Sequence, residues 1–139
     1  MTPLSMPEKT EEYPLILTTG ARVPHFFHSE QRQIKKLRAL HPDPLVYIHP
    51  ETAAKYDVND GDWIWIENEY GKCKYKAAFN DTYDPAVIQA EHGWWFPERK
   101  AEDLFGVFES NCNNLVPMDA GVSGFGSNYK AMICKIYKA

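Results

Sequence analysis

The sequence predicts a small, mainly β protein in which five or six short strands close into a barrel and two small helices connect them. Short apolar runs bounded by turn residues recur along the chain, which is typical of strands. Strands do not alternate regularly with long helices, so a parallel α/β sheet is not expected. The chain has 139 residues, 44% of them apolar, and this length suits one domain with one core.

The first predicted elements are a strand and a helix. The strand covers Tyr13–Thr19, where an apolar run enters a turn of small residues. The helix covers Ser29–Leu40, because Ile34 and Leu37 lie three residues apart while basic residues occupy the other side. Pro42 follows this helix, and proline cannot continue a helix.

The middle of the chain predicts three strands and a short helix. Leu45–Ile48 is a strand, and Pro50 then opens a helix over Glu51–Tyr56, at a position where its missing N–H is harmless. Tryptophan alternates with isoleucine within Asp62–Asn68, which is a strand pattern. After a glycine turn, Lys72–Phe79 returns as the partner strand.

The last part of the chain is predicted to contain two strands separated by a long irregular region. Ala86–Gln89 is the first strand, and Tyr129–Tyr137 closes the domain as the second. Residues 91–128 between them lack a regular period, and a long irregular stretch inside a domain usually has a function. Residues 1–12 are interpreted as a leader or linker, so the predicted domain is 13–139.

Charge and cysteine content limit the classes of partner. The formal net charge is −4 and the pI is near 5.7, which does not favour a nucleic-acid partner, and no apolar run approaches the ~18 residues of a membrane span. Cys73, Cys112 and Cys134 are widely separated, so no iron–sulfur or zinc spacing results. Three reduced thiols in a reducing compartment, such as the cytoplasm, are favoured, although a disulfide between two of them stays open.

Two neighbouring motifs have the chemistry of an anion-binding loop. The run Thr18–Arg22 combines two hydroxyls, a glycine and a guanidinium directly after the first predicted strand. His28 and Ser29 follow at the predicted helix start, where free backbone amides favour anions and serine is a common N-cap. The alternative is an ordinary turn at the end of a strand. We predict that Thr18, Thr19, Gly20, Arg22, His28 and Ser29 converge on one side of the barrel.

Three further motifs contain residue types that could bind a metal, cleave the chain or contact a ligand. His25 and His28 lack a third ligand at a defined spacing, so metal binding is not favoured. A Gly-Ser pair at 126–127 could be a self-cleavage site, but a turn is the preferred interpretation. His92 precedes Gly-Trp-Trp-Phe at 93–96, which is either an apolar lid or docking face, or a set of rings that stack on a ligand.

The order of these motifs resembles that in a known family, the C-terminal molybdopterin-dinucleotide-binding domain of the dimethyl-sulfoxide-reductase-type molybdopterin oxidoreductases. The resemblance extends from about Tyr13 to Tyr137. It is based on Leu-Thr-Thr-Gly-x-Arg at 17–22, His-Ser at 28–29, Val46–Ala54, Val58–Asp62, Trp-Ile-Trp-Ile at 63–66, Gly-Lys-Cys at 71–73, Val-Ile-Gln at 87–89 and His-Gly-Trp-Trp at 92–95.

This resemblance implies a six-stranded double-psi β-barrel of the aspartate-decarboxylase-like type and a molybdopterin guanine dinucleotide cofactor, with molybdenum or tungsten in the parent enzyme. It also implies that an asparagine of the irregular region and a Tyr-Lys pair before the last strand lie along the dinucleotide. The predicted cofactor-binding residues are Thr18, Thr19, Gly20, Arg22, His28, Ser29, His92, Trp94, Asn114, Tyr129 and Lys130. No catalytic residue and no metal ligand are predicted in this chain.

The implied partners are the other domains, or a large subunit, of a molybdopterin oxidoreductase, whose compartment could also be the periplasm. Isolated from them, the chain is expected to be inactive as an oxidoreductase and could self-associate through its aromatic loop. A free-standing barrel that binds proteins or peptides is the main alternative. A third hypothesis is a self-cleaving decarboxylase, which would need its Gly-Ser bond on an early strand.

Overall fold

A computed structural model describes residues 8–117 and 131–139. These residues form six strands, two short α-helices and two 3₁₀ turns. In chain order the elements are β1 (Leu15–Ala21), α1 (Lys35–Leu40), β2 (Leu45–Ile48), α2 (Pro50–Lys55), β3 (Trp63–Asn68), β4 (Gly71–Phe79), β5 (Val87–Glu91), the 3₁₀ turns Ala101–Gly106 and Cys112–Leu115, and β6 (Met132–Lys138).

The strands close into a six-stranded barrel, which confirms the predicted fold class. Around the barrel the strands follow the order β1, β5, β2, β4, β3, β6, and β6 pairs with β1. The pairs β1–β5 and β2–β4 are parallel, and the other neighbouring strands are antiparallel. The sequence predicted each strand within a few residues, because each is a short apolar run bounded by turn residues.

The barrel core consists of the side chains that point inward, at alternating positions along each strand. In β3, Ile64 and Ile66 are fully buried. Trp63 and Trp65 on the other face are half-buried, and the ammonium of Lys72 lies 4.7 Å from the ring centroid of Trp65. The three cysteines are also buried, and none forms a disulfide. Burial raises the pKa of their thiols, which favours the reduced, neutral form.

The predicted first helix is wrong over its first half. Only Lys35–Leu40 is helical, and Ile34 is its N-cap residue, without a side-chain capping bond. Turns occupy the preceding segment, where His28 has φ of 51° and Gln31 has φ of 73°. Left-handed residues interrupt a right-handed helix. Ser29 is therefore not a helix N-cap, and the anion-binding argument that depended on a helix start there does not hold.

A second, smaller apolar cluster lies outside the barrel core. It contains Val23, Phe26, Trp94 and Phe96, with Leu37 packed against it. This cluster joins the segment after β1 to the start of the irregular region after β5. Within the described residues, no helix has the length and apolar character needed to cross a membrane.

Candidate functional site

A cleft of about 340 Å³ opens where β1 and β5 end. It brings together most of the polar motif residues that the sequence singled out. Among the described residues its lining contains two hydroxyl groups, two imidazoles, one amide and two glycines, and no carboxylate. The lining residues are Thr19, Gly20, His28, Ser29, His92, Gly93 and Asn113.

Parallel pairing of β1 with β5 explains why these residues meet. Thr19 pairs with Ala90, so the carboxyl ends of both strands lie at the same edge of the barrel. The register shifts between Thr19 and Ala21, at Gly20, whose φ is 92°. Glycine adopts this left-handed conformation without the steric cost that other residues meet. The chain leaves β5 beside this bulge and enters the cleft at His92.

Two histidines in the cleft are hydrogen-bonded to each other. His28 Nδ1 lies 3.0 Å from His92 Nε2, and His92 Nδ1 lies 3.2 Å from the Ala21 carbonyl oxygen. Because a carbonyl only accepts, His92 donates from Nδ1, and its Nε2 then accepts the proton of His28 Nδ1. This arrangement leaves His28 Nε2 for another partner. Burial lowers the pKa of His92, and the Coulombic repulsion of His28, Arg32 and Arg22 lowers it further.

A smaller cavity shares both histidines and places Arg22 beside them. Its volume is about 40 Å³, and Phe26 and Phe27 form part of its wall. The structure thus brings Thr19, Gly20, His28 and Ser29 to the cleft and Arg22 to the adjoining cavity. Although the chain is acidic overall, the titratable groups among the described residues that line these two cavities are imidazoles and a guanidinium. Such a surface accepts an anion more readily than the rest of the molecule does.

Several predicted site residues do not line the cleft. Thr18 pairs with Gln89 in the β1–β5 ladder and is half-buried. Trp94 is 1% exposed and belongs to the second apolar cluster, so it is a packing residue here. Tyr129 and Lys130, like the Gly-Ser pair at 126–127, lie outside the described residues.

The asparagine that reaches the cleft is Asn113, whereas the sequence analysis selected Asn114. The Asn114 side-chain amide donates instead to the carbonyl oxygens of Phe108, at 2.7 Å, and Lys72, at 3.2 Å. Because the two asparagines are adjacent in the sequence, the residue pattern alone could not show which one lines the cleft and which one bonds to the backbone. Turn geometry decides which of two adjacent side chains points to the cleft.

Two buried charged residues next to the cleft were not singled out by the sequence. Arg32 is 1% exposed and contacts the backbone of both cleft histidines. Glu91 is 1% exposed and directly precedes His92. A local pattern gives no signal for either, because an arginine between two glutamines and a glutamate at a strand end both resemble ordinary surface residues.

The described residues contain no group of three or more His, Cys, Asp or Glu side chains that could hold a metal ion. His25 and His28, the pair considered for metal binding, have separate neighbours. The His25 ring stacks against His41 at a centroid distance of 6.2 Å, whereas His28 bonds to His92.

Comparison with known proteins identifies a family and a fold neighbour. Residues 15–133 match the family described as "Molydopterin dinucleotide binding domain". A dopamine dehydroxylase of Eggerthella lenta is 44% identical over 133 residues, which are 95% of this chain and 13% of that protein. An acetylene hydratase of Syntrophotalea acetylenica is 37% identical over 99 residues, covering 71% of this chain and 14% of the relative.

A solved structure agrees with these sequence matches. The acetylene hydratase from Pelobacter acetylenicus superposes with a TM-score of 0.88 at 30% identity, over 96% of this chain and 20% of that chain. The chain therefore spans about one fifth or less of the relatives that it matches. These findings confirm the predicted family resemblance over nearly the whole barrel.

Proposed function

The chain belongs to the molybdopterin dinucleotide-binding domain family, and on this basis we propose that the cleft at the ends of β1 and β5 holds the nucleotide part of that cofactor. The observation that supports the location is the convergence of Thr19, Gly20, His28 and Ser29 on one cleft. Membership of this family favours cofactor binding over the peptide-binding adaptor. We propose 13–139 as the binding domain and 1–12 as a linker.

The residues of the cleft fit a diphosphate-containing ligand. Its volume lies within the ~300–1,000 Å³ range of small-molecule sites. Gly93 has φ of 70°, and a Cβ atom there would lie 3.2 Å from the Ser29 backbone nitrogen, so only glycine leaves this wall undisturbed. The hydroxyl of Ser29 and the nearby guanidinium of Arg22 can donate hydrogen bonds to phosphate oxygens.

Individual roles follow from the positions of the donors. Ser29 is placed to donate its hydroxyl proton to a phosphate oxygen, Thr19 forms part of the cleft wall, and Arg22 offers charge from the adjoining cavity. His28 Nε2 is the imidazole nitrogen that the histidine pair leaves for the ligand, and because Nδ1 carries the proton of the neutral ring, Nε2 would accept a hydrogen bond from a ligand hydroxyl or amine. Asn113 pairs an amide donor with an acceptor, which matches the edge of a guanine base. We therefore propose guanine as the base of the dinucleotide.

The proposed task of this chain is binding and orientation. The bound cofactor, with its molybdenum or tungsten, supplies the redox chemistry of the parent enzyme. The relatives are about seven times longer than the matched segment, which supports other domains, or a large subunit, of an oxidoreductase as partners. We expect those partners, rather than this chain, to bind the substrate of that enzyme.

Binding of guanosine diphosphate by the 139-residue chain tests the location of the site. Isothermal titration calorimetry should show binding, and Ser29→Asp should raise the Kd at least about tenfold, because a carboxylate in the cleft repels a diphosphate. The matched control is Thr10→Asp. It adds the same charge at an exposed position, where Asp can still accept from the Tyr13 N–H. Absence of binding, or equal affinities of both variants, would contradict the proposal.

A further inference from the structure

Arg32 is a buried cation without a carboxylate partner among the described residues. Its side chain is 1% exposed, and the guanidinium carbon lies 4.7 Å from the Phe26 ring centroid and 4.6 Å from that of Trp94. Burial lowers the pKa of this guanidinium to about 10, and the attraction of Glu91 opposes that shift. Burying an unpaired charge is unfavourable, so hydrogen bonds from the guanidinium nitrogens are needed to offset the cost of burial.

The two ends of the guanidinium fork reach two different segments of the cleft. Nη1 donates to the carbonyl oxygen of His28 at 2.7 Å, and Nη2 donates to that of His92 at 3.4 Å. These are the two residues whose imidazoles bond to each other on the cleft wall. One side chain thus joins the segment after β1 to the segment after β5 from beneath the site.

The backbone at both contacts needs such support. His28 has φ of 51°, a left-handed conformation that is unfavourable for a residue with a Cβ atom. His92 is followed by Gly93, whose φ is 70° and which packs directly against Ser29. Other hydrogen bonds also hold these turns, from Trp95 Nε1 to the Ser29 carbonyl oxygen and between the two imidazoles, but Arg32 supplies the donors to the carbonyl oxygens of His28 and His92. An apolar side chain would fill the space between the rings but could not donate a hydrogen bond.

We infer that Arg32 is a positioning residue of this site, whose fork holds the carbonyls of His28 and His92 and thereby aligns the two imidazoles toward the cleft. The inference rests on the proposed function only for the identity of the ligand. The alignment itself is a property of the free protein. Arginine suits this role better than lysine, because a planar fork presents two donors at a fixed angle.

The test compares Arg32→Met and Arg32→Lys with Arg38→Met as the matched control. The Arg38 guanidinium also lies against Trp94, at 4.7 Å from the ring centroid, but it pairs with Glu98 and does not contact the cleft histidines. Arg38→Met therefore removes a cation from the same ring. Two measurements are made on each variant: the side-chain nitrogen resonances of His28 and His92 in the free protein by NMR, and the Kd for guanosine diphosphate.

We expect Arg32→Met to shift the resonances of both histidines away from their hydrogen-bonded values and to raise the Kd about tenfold or more, since charged hydrogen bonds are lost. Arg32→Lys should lie between this variant and the parent chain. Arg38→Met should leave both measurements unchanged. A lower melting temperature with unchanged histidine resonances and affinity would mean that Arg32 only packs the cluster, and would overturn the inference.

The design keeps this inference separate from the proposed function. If the parent chain does not bind guanosine diphosphate, the proposed function fails, while the histidine resonances still decide the role of Arg32. If Arg32→Met does not fold, Arg32→Lys decides by the same two measurements: parental resonances and Kd in that variant would reject the positioning role.

Discussion

At the scale of single residues, Glu91 shows how a charged side chain becomes part of the interior. Its Oε2 lies 2.8 Å from His41 Nε2 and accepts the Leu45 N–H at 3.0 Å, while Oε1 accepts the Tyr47 hydroxyl at 3.0 Å. Burial raises the pKa of Tyr47, and the negative charge of Glu91 raises it further, so this hydroxyl keeps its proton. Glu91 thus joins β5 to β2 next to the cleft.

We expect Glu91→Gln to destabilise the fold by about 3 kcal/mol, because the hydrogen bonds from the Leu45 N–H and the Tyr47 hydroxyl, and the contact with His41, would lose the negative charge that strengthens them. The control is Glu98→Gln. Glu98 has a 59%-exposed side chain and makes a surface ion pair with Arg38, so its loss should change stability by less than about 0.5 kcal/mol. Urea unfolding measures both, and equal stabilities would contradict the assigned role of Glu91.

At the scale of elements, the site depends on two parallel neighbours and the turns that follow them. β1 and β5 end at the same edge, and each is followed by a residue or segment with left-handed backbone. Gly93, in the turn after β5, touches Ser29, in the turn after β1. The width of the cleft therefore depends on how closely these two turns approach.

Gly93→Ala should destabilise the fold by about 2 kcal/mol and weaken the binding of guanosine diphosphate. A residue with a Cβ atom is strained at the positive φ of this position, and the added atom would also lie 3.2–3.3 Å from Ser29. Gly61→Ala is the control. Gly61 has φ of 84°, but a Cβ atom there would meet only Lys76 Cε at 3.9 Å. The Gly61→Ala variant should lose about 1 kcal/mol of unfolding free energy from backbone strain alone and should keep the parental affinity for guanosine diphosphate. Equal losses of stability and affinity in both variants would contradict the argument.

At the scale of the whole molecule, the described part of the irregular region divides into a buried and an exposed portion. Trp94, Phe96 and Leu115 are buried, whereas Leu104, Phe105 and Phe108 are 38–64% exposed. Leu104 and Phe105 also have positive φ, an unfavourable conformation for bulky residues. Apolar side chains held outward in this way form a surface that other parts of a larger enzyme could cover.

Hydrogen exchange should therefore separate the barrel from this segment. We expect slow exchange of the ladder amides of β3 and β4, and faster exchange within 97–108, where the amides lie in turns and a 3₁₀ turn and none lies in a sheet. Mass spectrometry of peptides from the monomeric chain measures the difference, with the chain diluted to exclude self-association. Uniformly slow exchange in a proven monomer would show that the exposed segment is as stable as the barrel.

Much of the fold was predictable because its elements are local. The alternation of tryptophan and isoleucine at 63–66 predicted strand β3, and Pro50 marked the start of α2. Short strands that do not alternate with long helices predicted a closed barrel, and the family resemblance added its six-stranded double-psi type. The first helix was predicted too long, because spacing within Ser29–Leu40 cannot show that His28 and Gln31 take left-handed conformations.

By itself, the sequence determined the strands, the family and most of the polar residues of the cleft, since these depend on residue types in a short stretch of chain. Only the tertiary structure decided that Asn113 rather than Asn114 reaches the cleft, that Trp94 is a packing residue, and that Arg32 lies buried beneath two histidines. Each of these depends on contacts between segments that are distant in the chain. Such contacts follow from the closure of the barrel and have no counterpart in local patterns.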